Sequence, residues 1–299
     1  MPIFAIRHQT TYQYRQPVAF GEHRILFRPR ESHDQRVLEA RMDVTPSPIS
    51  VRWMHDVFGN SIALARFNRR ATELHFDCFI RVDHSPDDGL QYELAEYAAT
   101  LPFSYGAEEI PDLLRAMARA RPDPHREVDR WALSFLRVDG PTRTLDLLAE
   151  MTRRIHTDFM YVTRPERGVQ DPSRTLKLGS GSCRDLALLM MEALRCLGFA
   201  TMFVSGYLNT DKGGRRLGGG ATHAWVRVYL PGSGWVEYDP TNGIIGSLDL
   251  IRVAVARDPS QAVPLSGTWT GFPGDDIDMT VQVTVTQEDA RQEMESAAS

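Results

Sequence analysis

Between Cys183 and Asp239 the residue pattern admits little besides one buried helix followed by strands. Leu186, Leu189, Met190, Ala193, Leu194 and Leu197 recur at steps of three and four, the spacing of a helix with one apolar face. Gly198 follows, the residue that most easily takes the left-handed position ending a helix. Strand-like Ala200–Leu208 comes next, then a glycine-rich connection, Asp211–Gly220, and an alternating segment, Thr222–Leu230. The turn Pro231-Gly232-Ser233-Gly234 returns the chain into Trp235–Tyr238. The fold class is therefore read as α+β.

The helix begins with a cysteine. In Gly179-Ser180-Gly181-Ser182-Cys183-Arg184-Asp185, Ser182 can act as N-cap and Asp185, three residues on, as the acidic partner of a capping box. Cys183 then sits in the first helical turn, where the helix dipole and unpaired N–H groups favour a thiolate. The same N–H groups can receive the oxyanion formed when a thiolate attacks a carbonyl. A buried structural thiol is the plain alternative, and Cys196 in the same helix and Cys78 in a strand are read that way.

His223 and Asp239 offer Cys183 its partners. An aspartate bonded to one imidazole nitrogen leaves the other nitrogen for the thiol. Whether they can meet depends on hairpin register. If Leu230 paired with Trp235, Val226 would oppose Asp239 and His223 would face the other way. If Leu230 pairs with Gly234, Trp225 opposes Asp239, and His223 and Asp239 become diagonal neighbours on one face. The second register is expected. Taken alone, Asp239 is equally well a turn residue before Pro240.

At 299 residues the chain has room for about two domains. Residues 1–82 read as many short strands separated by Arg28-Pro29-Arg30, Thr45-Pro46-Ser47-Pro48 and Gly59-Asn60, which suggests a β-sandwich-like domain. A helical connecting region follows over 83–140, with helices at Pro111–Ala120 and Glu127–Leu136. Residues 141–287 form the core, opened by a helix over Leu145–His156, and include further strands over 247–286. Thr163–Ser182 reads as a loop and 288–299 as a polar tail. The Gly213–Gly220 stretch reads as a hairpin connection or a flap over the thiolate.

The net charge of −5 suggests no nucleic-acid partner, and no apolar run reaches the roughly 20 residues of a membrane span. The eleven arginines against six acidic residues in 1–70 read as a solvated face. Three cysteines cannot pair completely, and the first residues lack the features of a secretory signal, so a reducing, cytoplasmic location is expected.

Together these segments resemble the transglutaminase-like superfamily, a branch of the papain-like cysteine enzymes. The resemblance lies in Gly181-Ser182-Cys183-Arg184-Asp185, Leu197-Gly198-Phe199-Ala200, Gly206-Tyr207, His223 to Tyr229, Pro231 to Val236 and Asp239-Pro240-Thr241. His8 to Tyr14, Arg28-Pro29-Arg30 and Asp56-Val57-Phe58-Gly59-Asn60 resemble the β-rich N-terminal domain of its bacterial members. The resemblance implies a papain-like core in which a Cys-bearing helix packs on an antiparallel sheet bearing His and Asp. It implies Cys183 as nucleophile, His223 as base and acid, and Asp239 as orienter. The implied substrate is a protein or peptide, attacked at a glutamine side chain or peptide amide. A primary amine or water then takes the acyl group, and neither metal nor cofactor is needed. Ser182, Trp225 and Tyr161 are candidates for further oxyanion or substrate contacts. A non-catalytic peptide-binding scaffold and a zinc site on Cys183, His223 and Asp239 stand as alternatives.

Overall fold

The computed structural model describes residues 2–86, 92–164, 166–210 and 216–288. The first strands are β1 (Ile3–Ile25), β2 (Gln35–Thr45), β3 (Ser50–His55), β4 (Ser61–Arg66), β5 (Arg70–His84) and β6 (Thr100–Leu101). Helices α1 (Ile110–Met117) and α2 (Glu127–Leu133), strand β7 (Thr142–Arg143) and helix α3 (Thr144–Asp158) follow. Then come β8 (Met160–Tyr161), α4 (Pro172–Leu178), β9 (Ser180–Gly181), α5 (Cys183–Cys196), β10 (Thr201–Leu208), β11 (His223–Leu230) and β12 (Gly234–Asp239). The last are β13 (Ile244–Ile245), β14 (Leu250–Ala256), β15 (Leu265–Thr270) and β16 (Asp276–Glu288).

β1 organises the N-terminal unit. Its first half lies between β5 and β16, and its second half between β15 and β4. Register with β5 jumps between Gln13 and Val18, where Pro17 has no N–H to give a ladder. The seven-stranded sheet bends there and wraps Tyr14, Val18, Phe20, Phe27, Leu74 and Phe76 into one apolar cluster. The expected β-rich N-terminal domain is present. It is one seven-stranded sheet curved into a half-barrel, in which a single long strand serves both halves. β15 and β16, placed by sequence in the catalytic core, pair with β1 instead. They looked alike in sequence because a strand carries no mark of the sheet it joins.

The second unit is a five-stranded sheet in the order β13-β12-β11-β10-β14, with every pair antiparallel. Alternation along β11 divides its side chains. Ala224, Val226 and Val228 share a core with Leu186, Leu189, Met190 and Leu194 of α5, while Trp225 packs with Val204, Leu208, Leu250 and Val255. Each fully buried Leu or Met of α5 contributes roughly 1.5–3 kcal/mol relative to exposure. That burial fixes where the helix N-terminus stands against the sheet. Gly198 ends the helix at φ +90°, as its position in the sequence suggested.

The stretch expected to be a loop before Cys183 contains helix α4. Asp171 caps it by accepting from the Ser173 N–H at 3.0 Å, Pro172 occupies its first turn, and Gly179 closes it at φ +59°. All three signals stand in the sequence around a run too short to show helical periodicity.

The two units share a core in which Phe4, Ile6, Ile80 and Val82 meet Tyr207, Ile251 and Val253. Polar side chains finish the join along the outer edge of β14. The Gln35 amide accepts from the Arg252 N–H at 2.9 Å and donates to its carbonyl at 2.8 Å. Asn60 treats Val255 in the same way, at 2.9 and 2.8 Å. Arg30 holds Asn60 in place through its Oδ1 at 2.7 Å. The Arg28-Pro29-Arg30 and Asp56 to Asn60 motifs thus act on the other unit.

Candidate active site

The hairpin adopts the register in which Leu230 pairs with Gly234 and Val226 with Tyr238. Asp239 therefore lies one step beyond Tyr238, opposite Trp225, and on the face that His223 shares. His223 Nε2 and Asp239 Oδ2 are 2.8 Å apart, and both side chains are shut off from solvent. The His223 ring stacks on Trp225 with centroids 6.0 Å apart and planes 29° from parallel.

The two oxygens of Asp239 divide the labour. Oδ1 accepts from the Thr241 N–H at 2.9 Å and so forms the turn after the strand. Oδ2 accepts from His223 and, at 2.8 Å, from Asn242 Nδ2. One oxygen thus serves the turn and the other bonds the imidazole.

Nε2 is committed to Asp239, so Nδ1 is the ring nitrogen left for another partner. The buried Nδ1 closes no hydrogen bond among the described residues, and the Cys183 side chain adds to the forces that favour the imidazolium. Burial opposes the imidazolium, yet the charge and hydrogen bond of Asp239, followed by the Cys183 sulfur, outweigh it and raise the pKa to about 10. Asp239 is held below its usual carboxylate range: burial pushes upward, but His223, Asn242 and the Thr241 N–H prevail.

Cys183 is 7% exposed at the start of α5. Ser182 is its N-cap, and the Asp185 carboxylate accepts from the Ser182 N–H at 2.9 Å and from its hydroxyl at 2.7 Å. The sequence reading missed two more partners of Asp185: Arg164 Nε at 2.7 Å and the Gln170 N–H at 2.6 Å. Burial raises the Asp185 pKa, but Arg164 and these donors reverse that and hold it low. The carboxylate is thus held charged and ties both Arg164 and Gln170 to the helix start. Gly181 is required beneath it, because a Cβ there would stand 2.8 Å from that of Asp185.

The three further candidates separate. Ser182 spends its hydroxyl on Asp185, so what it supplies is the cap. Trp225 is fully buried and its indole N–H donates to Glu237 Oε2 at 2.6 Å, which leaves it none for an oxyanion. That expectation is corrected: Trp225 is a stacking support for His223. Its alternation placed it on the correct face, but the buried Glu237 that claims its N–H could not be read locally. Tyr161 lies beside the site, in β8, which pairs with β9 just before Cys183. Burial raises the pKa of its phenol, Cys183 adds to the rise, and hydrogen bonding to Thr163 works against it.

Asn242 and Gly218 were not singled out from sequence. Gly218, at φ +81°, passes so close to the imidazole that a Cβ on it would stand 2.7 Å from Nδ1 and 3.6 Å from the Tyr161 hydroxyl. Residues 211–215 of the proposed flap lie outside the described residues. No three His, Cys, Asp or Glu side chains converge as metal ligands among the described residues. Asp239 points its oxygen at His223 rather than at a centre shared with Cys183, which disfavours the zinc alternative.

Two sequence families cover most of this architecture. The bacterial transglutaminase-like N-terminal region matches residues 4–83, and the transglutaminase-like superfamily matches residues 136–240. An uncharacterized protein of Mycobacterium bovis is 30% identical over 312 residues, covering 96% of this chain and 94% of its own. One from Mycobacterium tuberculosis matches to the same extent. A crystal structure from Cytophaga hutchinsonii, described as a candidate cysteine protease, has the same fold, with a TM-score of 0.69 and 19% identity. The match covers 96% of this chain and 92% of that one.

Proposed function

The chain belongs to the transglutaminase-like superfamily, and from that premise we propose that it is a thiol acyl-transfer or amide-cleaving enzyme with the triad Cys183, His223 and Asp239. The observation that carries this reading is the buried 2.8 Å contact of His223 Nε2 with Asp239 Oδ2, with the opposite side of the ring given to Cys183.

Cys183 passes its proton to His223 Nδ1 to form a thiolate–imidazolium pair, and its Sγ then attacks the carbonyl carbon of a glutamine side chain or a peptide amide. The oxyanion so formed meets N–H groups at the start of α5, ahead of Asp185, whose own N–H is taken by the Ser182 carbonyl. In this reading Tyr161, beside the site, is the second donor. The C–N bond then breaks, His223 returns the proton to the leaving nitrogen, and ammonia or an amine departs, leaving a thioester. His223 next deprotonates a primary amine or a water molecule, which attacks the thioester and releases Cys183. The amine route gives acyl transfer and the water route gives hydrolysis.

The description of the Cytophaga protein favours peptide cleavage as one outcome of the same chemistry. The three cysteines are free, and a nucleophilic Cys183 must be reduced, which supports a reducing compartment such as the cytoplasm.

The test incubates the protein and its Cys183→Ala variant with a peptide library, with and without a primary amine. Mass spectrometry then reads amine incorporation, deamidation or chain cleavage. Any of these that is lost in Cys183→Ala supports the proposal. Absence of all three, with Cys183 alkylated no faster than an ordinary thiol, would favour a peptide-binding scaffold.

A further inference from the structure

Asn242 touches more of the site than its place in a turn requires. Its backbone N–H reaches Asp239 Oδ1 at 3.4 Å, the kind of contact any residue in this turn could make. Its side chain does something else. Nδ2 donates to Asp239 Oδ2 at 2.8 Å and to the Leu217 carbonyl at 3.1 Å, and it stands 3.4 Å from His223 Nε2. Oδ1 accepts from the Leu217 N–H at 2.8 Å. One amide therefore holds both polar groups of Leu217 and the oxygen that orients the imidazole.

The residue after Leu217 is Gly218, the backbone that lies against His223 Nδ1. The ring is thus confined on both sides: Asp239 on the Nε2 side and the Leu217–Gly218 segment on the Nδ1 side. Asn242 is the side chain that fixes one to the other. The segment has other anchors further out, where Arg216 pairs with Asp249 at 2.7 Å and the Gly220 carbonyl accepts from the Val283 N–H at 2.8 Å. Neither of these touches the imidazole or Asp239.

We propose that Asn242 is a positioning residue. It locks the Leu217–Gly218 backbone to the His223–Asp239 pair and so holds Nδ1 on the line to the Cys183 sulfur. The proposal rests on the triad reading above and adds a fourth member to it, one that contacts neither the thiol nor the scissile carbonyl. Both amide groups are needed. Asp239 Oδ2 and the Leu217 carbonyl require N–H donors, and the Leu217 N–H requires an acceptor. Aspartate at this position keeps only the acceptor and sets a second negative charge beside Asp239. Alanine keeps neither.

The experiment compares the full-length protein with Asn242→Ala, Asn242→Asp and Gly218→Ala. It reads three quantities: the pH profile of Cys183 alkylation by iodoacetamide, the thermal midpoint, and the downfield proton resonance of the His223–Asp239 hydrogen bond. A hydrogen bond to a charged group is worth enough that its loss from a reacting alignment slows the reaction by roughly ten- to a hundredfold. Asn242→Ala is expected to lose about that much in alkylation rate near neutral pH. Its profile should move toward that of an ordinary thiol, and the downfield resonance should broaden or shift, with the protein still folding cooperatively. Asn242→Asp should be slower still. Gly218→Ala keeps the amide but drives a Cβ into Nδ1, and should give the same loss with Asn242 intact.

An unshifted resonance and an unchanged pH profile in Asn242→Ala would overturn the proposal. So would a rate loss that merely tracks the fraction unfolded, since a structural turn residue would do the same. The resonance does not depend on turnover. It therefore separates failure of this inference from failure of the acyl-transfer reading, which would show as slow alkylation in the unaltered protein.

Discussion

Helix α5 carries a cysteine at each end, and the two ends have opposite chemistry. Cys183 opens the helix, beside the positive end of its dipole and an imidazole that can take its proton. Cys196 closes it, where burial and then Asp129 push its thiol up to about 11. Cys183 is the more buried of the two, so exposure does not distinguish them. What distinguishes them is the sign of the charge facing each sulfur. In the proposed reading Cys183 becomes a nucleophile through its position on the helix and the strands opposite, and not through exposure.

The sharpest way to break this contrast is His223→Ala. If His223 is the general base proposed above, its removal should slow Cys183 alkylation at neutral pH by roughly 10²–10⁴-fold. The Cys196 rate should be unchanged, and peptide mapping of the alkylated sites measures both in one sample. Asp239→Asn comes next. It keeps the shape but removes the charge that favours the imidazolium, and should cost roughly a hundredfold in the same assay while lowering the thermal midpoint.

A smaller effect concerns pH and stability. Because the folded pKa of His223 is raised from 6.5 to about 10, the folded state holds its proton more tightly than the unfolded chain does. Its contribution to stability is full below about pH 6.5 and is lost as pH rises through about 10. Urea unfolding between pH 6 and pH 10.5 should show a decline that is shallower in His223→Ala, and equal slopes would refute the assignment. The smallest expected change is at the far end of the helix. Asp129→Asn removes the negative charge beside Cys196 and should speed its alkylation severalfold at pH 9, with Cys183 unmoved. If Cys183 responds equally, the two ends are not independent.

The placement of the Cys183 end was legible because its signals are local. Ser182 and Asp185 cap the helix, Gly198 ends it, and Pro231 to Gly234 sets a register that carries His223 and Asp239 to one face. The missed residues act across distance. Asn242 matters through Leu217, twenty-five residues earlier in the chain, and the indole of Trp225 is claimed by a glutamate on the neighbouring strand. β15 and β16 alternate as any strand does, and only the long reach of β1 decides which sheet receives them. Helix α4 was hidden for a different reason: seven residues are fewer than two full helical periods.

The amides of Gln35 and Asn60 bear on any attempt to shorten this protein. β14 is the outer strand of the core sheet, and an outer strand left with bare N–H and C=O groups invites pairing with another molecule. Here two side chains imitate the missing neighbour, each offering a donor and an acceptor at strand spacing. A fragment trimmed to the helix-and-sheet core would keep its cysteine, histidine and aspartate but would bare a sticky flank. Its failure in solution would then say nothing about its chemistry. Conversely, grafting this core onto another scaffold calls for two well-placed carboxamides before it calls for another sheet.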